Sequence, residues 1–264
     1  MKLPAAPLHG AAAVCCRAPQ LMTRVLLVLA GLALGLAPPA IAAGKAPPAK
    51  AKQAQSKKAQ PKKPQRKSTE EELEAPPSAD TLRVADWIAN SGDNGALPYA
   101  IIDKKAASIL LFDAEGKQIA KAPVLIGVAL GDEASPGIGS KNLAEIGPAE
   151  KTTPAGRFLA KYGLAAGRQK VLWVDYATSV ALHPIPKGAS KKERRRERML
   201  SATSEDNRIT FGCINVPIAF YTRSLRPLFE GKKGGYVYVL PDTKPLEVVF
   251  PRLRVEALKR GDIS

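Results

Sequence analysis

The spacing of apolar positions divides this chain into segments of different kinds. From Val25 to Ala37 thirteen uncharged, almost wholly apolar positions follow one another (VLLVLAGLALGLA). Residues 44–67 have no apolar side chain larger than Ala or Pro, so they cannot bury a core and read as an extended linker. Beyond Pro76-Pro77 the helical period appears: Leu82, Ala85, Trp87, Ile88 and Ala89 predict an amphipathic helix, capped by Asp80 and ended by Ser91-Gly92. Then come short runs rich in β-branched and aliphatic residues, at 99–103, 108–113, 122–130, 157–162, 171–176, 180–182, 236–240 and 246–250. Turn chemistry such as Ala114-Glu115-Gly116 and Gly234-Gly235 separates them. That rhythm predicts a mainly β, mostly antiparallel fold with a few helices. Further helices are expected at 218–229, opened by Pro217, and at 189–202; residues 242–264 are expected to form a last strand and a tail.

Charge refines the picture at the N-terminus. The chain has 264 residues with 40 Lys and Arg against 24 Asp and Glu. The first 67 residues hold twelve of the basic residues and none of the acidic ones, so the rest is only mildly basic. Arg17 and Arg24 before the apolar run, and Ala40-Ile41-Ala42-Ala43 after it, have the layout of a cleavable secretory signal over residues 1–42. The run is too short to span a bilayer, which needs about 20 residues. Met22 opens a complete signal of its own, and Cys15 and Cys16 leave with it. The expected location is the periplasm. Residues 43–79 then form a basic linker, either a plain spacer or a segment loosely attracted to anionic cell-wall polymer. Residues 80–96 are a helix and connection, and 97–241 the main domain, with an insert at 187–203.

Past the signal one cysteine and one histidine remain, Cys213 and His183. A lone thiol in an oxidising compartment forms no intrachain disulfide and is either buried or used. Gly212 before it admits a tight turn, and the main-chain N–H groups of Gly212 and Cys213 could face the oxyanion of a tetrahedral intermediate. Taken alone, Cys213 reads first as a small buried hydrophobe. His183 is the base left to activate it, and a neighbouring imidazolium would favour the thiolate. One His and one Cys fall short of a metal site, so no metal and no cofactor are expected.

Thr153-Pro154-Ala155-Gly156-Arg157-Phe158, then Leu182-His183, then Thr210-Phe211-Gly212-Cys213-Ile214-Asn215 resemble, in that order, the catalytic domain of the L,D-transpeptidases of bacterial cell walls. The resemblance covers most of residues 97–241. It implies a β-sandwich or barrel, Cys213 as nucleophile, His183 as general acid and base, and a backbone carbonyl just after it, that of Pro184, orienting the imidazole. Thr210, Gly212 and Asn215 are implied as oxyanion or positioning residues, and peptidoglycan stem peptides as the substrate. Carbapenem-type β-lactams resemble the acyl donor of this family. The same Cys and His would also serve an L,D-carboxypeptidase or another amide hydrolase, and a non-catalytic wall-binding module is the reading from a different class. Two features depart from the family. Phe211 stands where a His is common, and the His183–Cys213 interval is longer than usual. The excess, residues 187–198 (KGASKKERRRER), carries seven basic and two acidic residues. Without interleaved stacking aromatics it does not read as a nucleic-acid site. Arg194, Arg195, Arg196 and Arg198 are therefore candidates to hold an anionic substrate at the cleft, against the alternative of a solvated helix.

Overall fold

A computed structural model describes residues 76–165 and 168–260. The expected signal and nearly all of the linker lie outside the described residues. Helix α1 spans Ala79–Ser91. Its cap is Ser78, whose Oγ accepts the Thr81 N–H at 3.1 Å. Asp80, the expected cap, sits inside the first turn, because the helix starts one residue before it and a capping side chain must stand outside.

Ten strands follow: β1 Tyr99–Asp103, β2 Ser108–Phe112, β3 Gln118–Pro123, β4 Ile126–Gly127, β5 Gly156–Leu164, β6 Lys170–Asp175, β7 Val180–Pro184, β8 Arg208–Thr210, β9 Ile214–Val216 and β10 Gly235–Val239. Eight form one sheet in the order β3-β2-β1-β10-β5-β6-β7-β9. Its pairs are antiparallel except β1–β10 and β7–β9. Just after β3, Leu125 exchanges two 2.9 Å main-chain hydrogen bonds with Asn215 of β9, joining the sheet's two edges into a nearly closed barrel. This is the expected mainly β architecture with a few helices. The barrel holds one core, with Ile102, Leu111, Leu182, Ile214 and Val239 in it. The opposite face of β1, β2 and β10 packs Ile101, Leu110 and Tyr238 against Val84, Trp87 and Ile88 of α1. Burial on both faces explains why β1 and β2 read as continuous apolar runs rather than alternating ones.

The short helix α2 is Arg195–Met199. Helix α3 runs as Ile218–Phe220, a π turn at Tyr221–Leu225 and a last stretch Arg226–Gly231. Pro227, with no N–H to give, accounts for the irregular turn before it. The helix expected over 189–202 shrinks to a 3₁₀ turn at Lys191–Glu193 and α2, because it buries only Met199 and has no apolar stripe to dock. The strand expected at 246–250 is helix instead: α4 Leu246–Val249, continued by α5 Pro251–Arg260. Leu246, Phe250 and Leu253 recur at i, i+4 and i+7 and pack beside Trp87 and Tyr238, while Val248 points outward. The helical period outweighed the β-branched pair Val248-Val249.

A buried ion cluster pins this C-terminal segment to the barrel. Lys104 Nζ, fully enclosed, donates to Gly131 O (2.6 Å), Asp132 Oδ1 (3.0 Å) and Thr153 O (3.0 Å), and lies 3.2 Å from Asp242. Burial works against the Asp132 charge. The main-chain N–H groups of Lys244, Asp242 and Thr243 and the Thr243 hydroxyl overcome it, holding the carboxyl well below the usual carboxylate range. Such a group contributes stability that is fully present above the ordinary Asp pKa of about 3.9 and is lost as pH falls toward the folded value. Asp132→Asn leaves Lys104 with an impaired partner, and urea unfolding at pH 7 should show a loss of about 3–5 kcal/mol.

Candidate active site

Strand β7 carries His183 and β9 carries Asn215, and the parallel register sets Leu182 opposite Ile214 and His183 opposite Asn215. Leu182 and Ile214 face the core with no exposure. The alternation of side chains then turns His183 and Asn215 to the other face. The histidine singled out by the sequence thus stands on β7, and the cysteine immediately ahead of β9, the strand paired with it.

His183 Nδ1 lies 2.8 Å from Pro184 O. A carbonyl only accepts, so Nδ1 carries the proton and Nε2 keeps its lone pair. This is the carbonyl that the family resemblance implies. Asn215 Nδ2 is 3.5 Å from both ring nitrogens. A group equidistant from the two is aligned with neither lone pair in particular.

Cys213 is half-buried, and its Sγ–H points to Ser179 O at 3.6 Å. Ser179, in the β6–β7 turn, holds a left-handed φ of 59° and is braced by its Oγ on Gly139 O (3.1 Å). The loop that carries Gly139 thus braces the turn whose carbonyl meets the thiol. Burial pushes the Cys213 thiol up, and the Ala181 N–H and the Arg195 charge offset this only in part. Burial also pulls the His183 imidazole down; the Pro184 carbonyl opposes this and Arg195 adds to it. The sequence led to a thiolate–imidazolium pair at rest. In the structure burial works against both charged forms, raising the thiol and lowering the imidazole.

The loop before Cys213 is built by hydrogen bonds. Thr210 Oγ1 donates to Cys213 O at 2.6 Å and accepts the Gly212 N–H at 3.2 Å. The Gly212 N–H, expected to face an oxyanion, is therefore engaged by Thr210. The Cys213 N–H, by contrast, shows no partner among the main-chain bonds of the described residues. Gly212 has φ +124°, and a Cβ there would stand 2.7 Å from Thr152 O. Only glycine fits both the conformation and the space. Thr153 Oγ1 donates to Gly212 O at 2.8 Å while accepting the Gly127 N–H at 2.9 Å. Thr153 was visible as the head of its motif, but its role as the brace of the cysteine loop was not.

The four arginines of the insert do not act together. Arg194 pairs with Glu197 in the solvent, and Arg196 is exposed. Arg198 donates to Asp206 O (2.7 Å) and Arg208 O (3.4 Å), stapling the insert to the turn that follows it and to β8. Arg195 reaches inward, with Nη1 2.8 Å from Asn215 Oδ1. Phe211, in the position where the family commonly has His, is 36% exposed, and Lys151 Nζ stands 3.8 Å from its ring centroid. Among the described residues no three His, Cys, Asp or Glu side chains are grouped to hold a metal ion.

No family model matches the chain and no curated protein matches it. Solved structures do align with it. The L,D-transpeptidase (residues 123–326) from Xylanimonas cellulosilytica DSM 15894 is 14% identical over 55% of this chain and 60% of that one, with a TM-score of 0.33. The L,D-transpeptidase (Yku) from Stackebrandtia nassauensis is 15% identical over 67% of this chain and 76% of that one, with a TM-score of 0.35. The chain thus spans 60% of the first of these structures, and at these values neither likeness places it in a family.

Proposed function

We propose that this chain is an exported L,D-transpeptidase acting on peptidoglycan stem peptides. The observation that carries the reading is the setting of His183: Pro184 O holds the Nδ1 proton, leaving Nε2 as a base on β7, beside the strand that Cys213 leads into. As the sulfur attacks the carbonyl of the third stem residue, Nε2 takes the thiol proton, so the thiolate forms during attack and not before it. The Cys213 N–H is the main-chain donor nearest the developing oxyanion. Collapse of the tetrahedral intermediate breaks the C–N bond, and the imidazolium gives its proton to the departing terminal D-amino acid. A thioester remains on Cys213. The amine of a second stem peptide then attacks it, passing a proton to Nε2, and the cysteine leaves as thiol. Water in place of that amine gives the carboxypeptidase outcome.

The signal-like segment at 1–42 supports export, and residues 43–79 then precede the domain as a basic linker in the mature protein. The reading is tested by incubating the purified mature protein with a disaccharide-tetrapeptide. Intact-mass analysis should show a thioester on Cys213, and products formed with and without an acceptor amine separate transfer from hydrolysis. A protein that forms neither adduct nor product would overturn it.

A further inference from the structure

We propose that Arg195 is a positioning residue for the reacting pair: the basic insert delivers its guanidinium to Asn215, and Asn215 holds the ring of His183. This rests on the catalytic reading of Cys213 and His183.

Along the insert, Arg195 differs from its neighbours. Its side chain is 13% exposed, whereas that of Arg194 is 68% exposed. The guanidinium is gripped from both sides. Glu193 takes Nε at 2.9 Å and Nη2 at 3.4 Å, and Asn215 Oδ1 takes Nη1 at 2.8 Å. Glu193 fixes the plane of the fork and so aims the remaining donor. A guanidinium has no acceptor, so the amide of Asn215 must present its oxygen to Arg195 and its nitrogen to the imidazole. That nitrogen stands 3.5 Å from each ring nitrogen of His183. The ring is thereby held by Pro184 O at Nδ1 and by the Asn215 amide, which contacts both nitrogens.

The guanidinium also places a fixed positive charge near both reacting groups. It disfavours the imidazolium and favours the thiolate, so it acts on the two proton equilibria in the same direction, downward. The other charges nearby are spoken for. Glu193 lies on Arg195, Lys151 stands over Phe211, and Asp175 bonds within its own turn to the Ala177 N–H and the Thr178 hydroxyl. The long His-to-Cys interval is then the means by which a cation reaches the back of the site, and the neighbouring arginines are its solvated or structural surroundings.

The test uses the mature protein with Arg195→Met and Arg195→Lys. Two readouts are followed against pH: alkylation of Cys213 by iodoacetamide, which needs no stem peptide, and acylation by the tetrapeptide, with kcat and KM separated. In Arg195→Met both the alkylation midpoint and the acid limb of acylation should move to higher pH. Its kcat should fall about ten- to a hundredfold with KM little changed, as for a misplaced reacting group. Arg195→Lys keeps the charge and loses the fork. It should retain the wild-type pH limbs and still lose kcat, which tests the positioning role even if Arg195→Met fails to fold. An Arg195→Met enzyme with wild-type pH limbs and kcat within twofold overturns the proposal. So does a raised KM with kcat and pH limbs unchanged, which makes Arg195 a substrate contact. A shifted alkylation midpoint in a protein whose wild type is never acylated overturns the transpeptidase reading instead.

Discussion

Cys213→Ala is expected to abolish every covalent adduct, with tetrapeptide and with carbapenem alike, while the protein remains folded. The thiol is the nucleophile of the proposed reaction, and His183 without it has nothing to activate. The substitution removes one sulfur from a half-buried position whose S–H makes a single 3.6 Å contact, so thermal unfolding should report a cost of about 1 kcal/mol or less. Intact-protein mass after incubation reads the loss directly; an adduct of equal yield on the Cys213→Ala protein would sink the assignment. The native protein has a companion signature. Since burial raises the thiol, iodoacetamide should modify Cys213 more slowly at pH 7 than a free cysteine, and its rate should keep rising past the ordinary thiol pKa of about 8.5. A thiol that reacts only in denaturant and takes no carbapenem would be a structural one.

His183→Ala should slow acylation by about 10²–10⁴-fold, the range for a positioned acid–base group. The loss should fall on kcat, because the imidazole receives a proton as the sulfur attacks and is not needed to hold the stem peptide. The pH profile gives an independent check with a definite sign. Burial holds the imidazole below the ordinary His pKa of about 6.5, so the neutral base persists into mildly acidic solution. The acid limb of kcat/KM should lie below pH 6.5 in the wild type and disappear in His183→Ala. A His183→Ala enzyme within threefold of wild type would remove the base from the mechanism.

Both predictions rest on residues legible in the sequence, whereas the state of those residues was not. His183 and Cys213 stood out because the chain beyond residue 42 has no other histidine or cysteine, and their motifs resemble a known order. Their resting protonation depends on how much water each loses, which is a sum over neighbours from several strands. Burial at this site opposes both charges of the expected ion pair. Thr153 and Arg195 show the same limit. Each acts through a partner 59 or 20 positions away, Gly212 or Asn215, and no local spacing announces such a contact.

What the sequence determined by itself is what short-range physics controls. Runs of β-branched residues between turn signals gave most of the strands, and the apolar spacing of 82–89 gave α1. A glycine before the cysteine signalled a turn that other residues cannot make. Tertiary structure decided the rest. Helices α4 and α5 formed because Leu246, Phe250 and Leu253 found Trp87 and Tyr238 to pack against. The barrel closed because Leu125 met Asn215. The candidate site takes its form because Leu182 and Ile214 both seek the core: burying that pair fixes the β7–β9 register, and the register sets His183 opposite Asn215, with Cys213 just ahead of β9.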